Sequence, residues 1–128
     1  MKTILYTTDF SDNSVAALKY AYKMSEQMAT RLVVAHVFNY PTILGIEGLD
    51  EPFPHTEENA FKMHRNKLEE FCQEHLGSVW KNPNIQLQAV ENNSVVKGII
   101  ATAEEWHAYL IVVGMKGGSA IREMIMGS

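Results

Sequence analysis

Two short runs, Leu32–Phe38 (LVVAHVF) and Leu110–Val113 (LIVV), constrain the fold more than any other feature of the chain. Both are almost continuously apolar and rich in β-branched residues. A strand with one wet face alternates, whereas an unbroken run of this length belongs to a strand buried on both faces, as in the interior of a parallel sheet. Parallel neighbours cannot be joined by tight turns, so helical crossovers must lie between them. The intervening sequence supplies these crossovers. Ile4–Thr8 is a short β-prone run ending in Asp9-Phe10-Ser11-Asp12-Asn13-Ser14, a cluster rich in helix-capping residues. Val15, Leu18, Tyr22 and Met28, with alanines between them, then repeat at helical spacing and predict a helix to about Thr30.

After the second strand, Asn39 to His55 holds three of the four prolines and two glycines without a sustained period, the mark of a long surface loop. Loops of that length in compact domains are often functional. Phe61, His64, Leu68, Phe71, Cys72 and His75 predict a second helix, closed by Gly77. Ile85, Leu87 and Ala89 alternate with Gln86 and Gln88, which places a third strand near a sheet edge. Ser94 caps a third helix that carries Val95, Val96, Ile99, Ile100, Ala103 and Trp106, with Gly98 as its one weak point. Leu110–Val113 is the fourth strand. The order is therefore β-α-β-loop-α-β-α-β, an α/β fold with an open parallel sheet and helices on both faces.

Sheets of this kind bind ligands in the crevice beyond the carboxyl ends of their strands, where the strand order reverses. Asp9–Ser11 follows the first strand and Gly114-Met115-Lys116-Gly117-Gly118 the fourth; if both strands are central, the two segments face each other. A glycine-rich loop between a strand and a helix can turn several N–H groups toward one anion, and phosphate is the natural ligand. The pattern is neither the dinucleotide G-x-G-x-x-G nor the P-loop. A helical segment Ser119–Met126 would span roughly 12 Å and lead to Gly127 and Ser128, which return to the same polyphosphate only if the chain doubles back. The alternative is a simple turn at Gly117-Gly118 with Gly127 as a helix C-cap.

Other chemistry finds little support in the sequence. A net charge of −4 without a cluster of Lys and Arg argues against nucleic acid as partner. The amino terminus has no signal-peptide core, and no segment approaches the roughly 18 apolar residues of a membrane span. A cytoplasmic protein is expected. Cys72, the single cysteine, reads as a small buried hydrophobe on a helical stripe. His36, His55, His64, His75 and His107 are spread over different elements with no i, i+4 pair, so no metal site is expected. Ser11 and Ser14 read as caps of the first helix, with neither a nucleophile elbow nor a base beside them. The paired glutamates 57–58, 69–70 and 104–105 read as solvated helix faces.

Gly114, Gly117, Gly127 and Ser128 form G-x2-G-x9-G-[ST]. With Thr8-Asp9-Phe10-Ser11, His36-Val37 and Leu110–Gly114 in order along all 128 residues, the chain resembles the ATP-binding universal stress proteins. The resemblance implies an adenine-nucleotide-binding, Rossmann-like fold with strand order 3-2-1-4, and ATP, with Mg²⁺, as ligand. It implies that Asp9 and Val37 flank the adenosine while Gly114, Gly117, Gly127 and Ser128 hold the phosphates. Lys116, inside the loop, is a candidate to add charge to the phosphate site, the commoner outcome for a lysine being solvent exposure. No residue for positioning a water stands out, so slow hydrolysis is the most that is expected, and no catalytic residue is assigned.

Family members usually continue past the Gly-Ser pair into a fifth strand at the sheet edge. The chain is thus expected to be a single domain, residues 1–128, C-terminally truncated, either as a fragment such as the first half of a tandem protein or as a shortened form. A fourth strand left without its neighbour invites pairing with another chain, hence an expected homodimer or higher homo-oligomer. Glu91-Asn92-Asn93-Ser94 replaces a glycine common before the third helix, and Tyr109 stands where an aspartate often precedes the fourth strand. The function expected is that of an ATP-binding stress-response module acting through conformation and assembly. The alternative is a dimerising interaction domain of the same fold that binds no nucleotide. An adenylating enzyme of a related fold would need a Ser/Gly cluster after the first strand, and Asp9-Phe10-Ser11 does not supply one.

Overall fold

The structure, a computed structural model, describes residues 1–39, 56–116 and 123–125. Its elements are β1 (Thr3–Thr8), α1 (Asn13–Met28), β2 (Arg31–Phe38), α2 (Thr56–Leu76) with a 3-10 turn (Gly77–Lys81), β3 (Ile85–Glu91), α3 (Val95–Trp106), β4 (Leu110–Gly114) and β5 (Glu123–Ile125). The first four strands are parallel and stand in the order 3-2-1-4, as expected. The apolar runs that predicted interior strands are buried: β4 throughout, and β2 at six of its eight residues. β3, with its alternating glutamines, is half-buried and lies at the edge.

The order dictates the layers. α1 and α2 carry the chain from β1 to β2 to β3 in one direction, and α3 brings it back across the sheet to β4. One face therefore packs Ile4, Tyr6, Leu32, Val34, Leu110 and Val112 against Leu18 and Ala21 of α1 and Leu68, Phe71 and Cys72 of α2. The opposite face packs Leu5, Val33, Ala35, Val37, Ile111 and Val113 against Ile99 and Ala103 of α3. Cys72 is a core residue, as its stripe predicts, and burial pushes its thiol up to about 12. It is inert at neutral pH. The reversal of strand order falls between β1 and β4, so the switch-point crevice lies at their carboxyl ends.

Three expectations need correction. Ser11 and Ser14 do not cap α1: the capping position is Asp12, without a side-chain bond, and Ser14 is instead buried with its Oγ donating to the Ser11 carbonyl at 2.6 Å. Ser94, in contrast, does cap α3, its Oγ accepting from the amide of Lys97 at 3.2 Å. Second, Ser119–Met126 was expected to be helical and the sheet to lack a fifth strand, but β5 pairs antiparallel with β4, with Leu110, Ile111 and Val112 opposite Ile125, Met124 and Glu123. An eight-residue segment is too short to hold a helix by itself, and pairing satisfies the outer N–H and C=O groups of a fully buried strand. The bare β4 edge on which the dimer expectation rested is thus partly covered by the chain itself.

Third, Gly98 is not a weak point but a contact. A Cβ there would lie 2.7 Å from Val37 Cγ1 and 3.2 Å from Asn92 Cβ, so its absence lets α3 settle onto β2. Of the loop predicted from Asn39 to His55, residues 40–55 lie outside the described residues. Near it, Asn92 serves the turn before α3 without a glycine: its Oδ1 accepts from the amide of Ser94 at 2.9 Å, and its own amide donates to the Phe38 carbonyl.

Two glycine substitutions test this packing. Gly98→Ala gains helix propensity but overpacks a movable Val37 side chain, with an expected net loss of about 1 kcal/mol. Gly114→Ala would bring a Cβ to 3.0 Å from the Ser14 Cα, which is backbone and cannot swing away. A loss of about 2–3 kcal/mol, larger than that of Gly98→Ala, is expected in urea unfolding.

Candidate functional site

At the carboxyl end of β1 the chain makes a tight and partly strained turn. The amide of Phe10 donates to Thr8 Oγ1 and the amide of Ser11 to Asp9 Oδ1, both at 2.9 Å. Phe10 sits at φ 67°, in the left-handed region that a bulky residue rarely adopts. Such outliers persist only where surrounding contacts enforce them, and they concentrate at functional sites. Here the enforcing contacts are the His36 ring, 4.4 Å from the Phe10 ring, the Phe71 ring at 5.5 Å, and Lys67 Nζ at 4.9 Å.

Asp9 joins this turn to the loop after β4. Its Oδ2 accepts the amide of Lys116 at 2.9 Å, across 107 residues of sequence. The two segments predicted to face each other are thus tied by one carboxylate. Burial works to raise the pKa of Asp9, but Ser11 and the Lys116 amide outweigh it and hold the carboxyl below its usual range. The carboxylate is ionised at neutral pH and keeps acceptor capacity beyond these two bonds. Beside it, Thr7, Thr8, His36, Val37, Val95, Ile99 and Met115 enclose a crevice of about 40 Å³. That is near the volume of a single water.

The structure brings together four of the sequence-predicted residues. Asp9 and Val37 line the crevice, Lys116 donates its backbone amide to Asp9, and Gly114 ends β4 opposite Thr8. The reason for glycine at 114 is packing: a Cβ would meet Ser14 at 2.8 Å and the Tyr6 hydroxyl at 3.0 Å. Gly117, Gly127 and Ser128 lie outside the described residues.

Sequence reading missed the histidines. His36 and His64 stack at 5.1 Å between ring centroids, and the column continues through Phe10 on one side and Phe38, 4.2 Å from His64, on the other. His36 Nδ1 lies 2.8 Å from the Thr8 carbonyl, which can only accept, so Nδ1 carries the proton and donates. Thr8 is thereby held from both sides, by Phe10 and by His36. The signal was present as His36 in a buried strand and His64 on the inner stripe of α2, but only the register of α2 on the sheet brings them together. Among the described residues no three His, Cys, Asp or Glu side chains gather in a metal-binding group.

Burial lowers the pKa of both imidazoles; nearby Lys67 lowers each further, and His36 also lowers that of His64. The Thr8 carbonyl and Asp9 oppose the shift at His36 without cancelling it. With folded values below the unfolded value of about 6.5, the unfolded chain takes up protons first as pH falls. This contribution to stability is therefore expected to be full above the unfolded value of about 6.5 and to be lost as pH falls from there through the lower folded values. Thermal melts of the wild type and of His64→Phe, which keeps the ring column, should show a shallower pH dependence in the variant.

With the geometry in place, comparison with known proteins gives a consistent result. The Universal stress protein family profile matches residues 1–128. A universal stress protein of Methanocaldococcus jannaschii is 26% identical over 140 residues, covering 99% of this chain and 84% of the relative. A crystal structure of a universal stress protein family member from Burkholderia pseudomallei superposes with a TM-score of 0.67 at 23% identity, covering 89% of this chain and 81% of the other. A universal stress protein crystallised with cAMP superposes with a TM-score of 0.60 at 19% identity, covering 94% and 77%. The two structural likenesses carry the fold, and the match over the whole chain carries the family: this protein belongs to the universal stress protein family.

Proposed function

We propose that the chain is an adenine-nucleotide-binding module of the stress response that takes ATP with Mg²⁺ at the carboxyl ends of β1, β2 and β4. The observation that carries this reading is the Asp9 carboxylate, ionised and bonded to amides on both sides of the switch point. Its spare lone pairs suit ribose hydroxyls, while Val37 and Ile99 provide an apolar wall for a base. Phosphates would follow the loop after β4, where the family pattern puts Gly117, Gly127 and Ser128. Lys116 adds a positive charge next to them. Gly114 serves this arrangement by letting β4 approach α1. The cation would take its ligands chiefly from the polyphosphate and water, as Mg²⁺ commonly does. The relative crystallised with cAMP carries the same base and sugar and supports the ligand class.

In this reading the protein works in the cytoplasm as a homodimer or higher homo-oligomer, through conformation and assembly rather than fast turnover. None of the described helices is long and apolar enough to cross a membrane. Because β5 covers part of β4, self-association would use the outer side of β5 rather than a bare β4 edge. Light scattering at micromolar concentration is expected to give at least twice the 14.4 kDa chain mass.

Calorimetric titration with ATP and MgCl₂ tests the nucleotide reading. Saturable binding is expected for the wild type, weaker for AMP than for ATP. Loss of the charged acceptor in Asp9→Ala should weaken binding by about ten- to a hundredfold, in line with roughly 1.5–3 kcal/mol for a charge-assisted hydrogen bond. Gly117→Val should abolish the preference for ATP over AMP. Absence of heat with the folded wild type would remove the nucleotide reading and leave the dimerising interaction domain.

A further inference from the structure

The other end of the sheet carries a surface that the nucleotide reading does not use. β3 is the last strand on its side, and its sheet neighbour among the described residues is β2. Its outward N–H and C=O groups therefore have no ladder partner in the described sheet. Edge strands are ordinarily protected by lysine, proline, a bulge or inward charge. The sequence of β3, IQLQAVE, has none of the first two, and its one charge, Glu91, stands at the very end.

Beside this edge, between β3 and α2, lies a shallow groove of about 410 Å³ that is open to solvent. Leu87, Gln88 and Ala89 of β3 and Phe61, Lys62 and Arg65 of α2 line it. Leu87 packs against the core on the α2 side, and the small Ala89, two residues on, points to the same side of the sheet. Among the described residues the lining thus combines apolar surface with two cations and contains no carboxylate. Arg65 does reach Glu69, at 3.9 Å, but both side chains are 40% or more exposed. Pairs of this kind contribute little and give way to a better-placed acceptor.

We propose that the β3 edge and the flanking surface of α2 form a docking groove for an extended peptide of alternating apolar and acidic side chains, received as an added strand. Backbone pairing with β3 supplies the attachment. Because side chains alternate along a strand, every second residue of the guest faces α2. Apolar ones meet Phe61 and Leu87, and an acidic one meets Lys62 and Arg65. The cations select an acidic guest over a basic one, and the seven-residue length of β3 sets the length that can pair.

The probe is a fluorescently labelled seven-residue peptide in which Val, Glu and Val alternate with Thr, titrated with the full chain and read by anisotropy. Saturable binding is expected, weakened at least tenfold by Lys62→Glu with Arg65→Glu, and by replacing the peptide Glu with Lys. N-methylation of the peptide amides that face β3 should abolish it, a readout that does not depend on the folding of any variant. Circular dichroism melts confirm that the protein variant is folded. No binding at millimolar protein, or binding that survives either the charge reversal or the N-methylation, overturns the proposal. So does concentration-dependent self-association lost in the charge-reversed variant, which would give the groove to a second copy of the chain.

Discussion

The close seating of Ser14 under the carboxyl ends of β1 and β4 holds the rest of the molecule in place. Its hydroxyl accepts from Thr8 Oγ1 at 2.9 Å and donates to the Ser11 carbonyl, and its own carbonyl accepts the Tyr6 hydroxyl at 2.6 Å. The hydroxyls of Tyr6, Thr8 and Ser14, all buried, each have a partner, as burial away from water requires, whereas the buried Ser11 Oγ beside them has none. Burial drives the Tyr6 phenol up to about 12, with the hydrogen bonds to Thr8 and Ser14 only partly opposing it, so it stays a neutral donor. Gly114 completes the contact by offering no side chain to Ser14. Move α1 outward by the width of a methyl group, and Thr8, Asp9 and the β4 loop lose their common reference.

From that anchor the site follows by short steps. Thr8 receives the Phe10 amide on its side chain and His36 on its carbonyl, so the residue before Asp9 is held on both sides. Asp9 then spans the gap to Lys116. The strained Phe10 is tolerated because its ring is clasped by His36, Phe71 and Lys67. The aromatic column that continues through His64 and Phe38 couples α2 to this turn, which links the ionisation of two half-buried imidazoles to the stability of the crevice wall. A sheet-end crevice and a helix on the far side of β2 are therefore one mechanical unit.

The two ends of the sheet solve the edge problem differently. At β4 the chain folds its own β5 across the exposed groups, although the local sequence read as helix. At β3 no further strand follows among the described residues, and the long helix α2 flanks the edge on one face only. Trp106 and Gln88 close the other face, with the indole N–H donating to the Gln88 side-chain oxygen at 2.8 Å.

The sequence by itself determined the order of elements, the interior position of β2 and β4, the burial of Cys72, the Ser94 cap, and the facing of the Asp9 turn and the β4 loop across the point where the strand order reverses. These are consequences of period, length and local hydrogen-bonding chemistry, which neighbouring residues express without reference to the rest of the chain. Tertiary structure alone decided that Ser14 is a buried tie rather than a cap, that Gly98 and Gly114 are glycines of close approach, that 123–125 is a strand, and that His36 meets His64. Each of these depends on what another element of the fold places opposite, at distances of 2.6 to 5.1 Å, as between Tyr6 of β1 and Ser14 of α1 or between the rings of His36 and His64. Local pattern carries no information about such distances, because the partner is chosen by packing and strand order rather than by spacing.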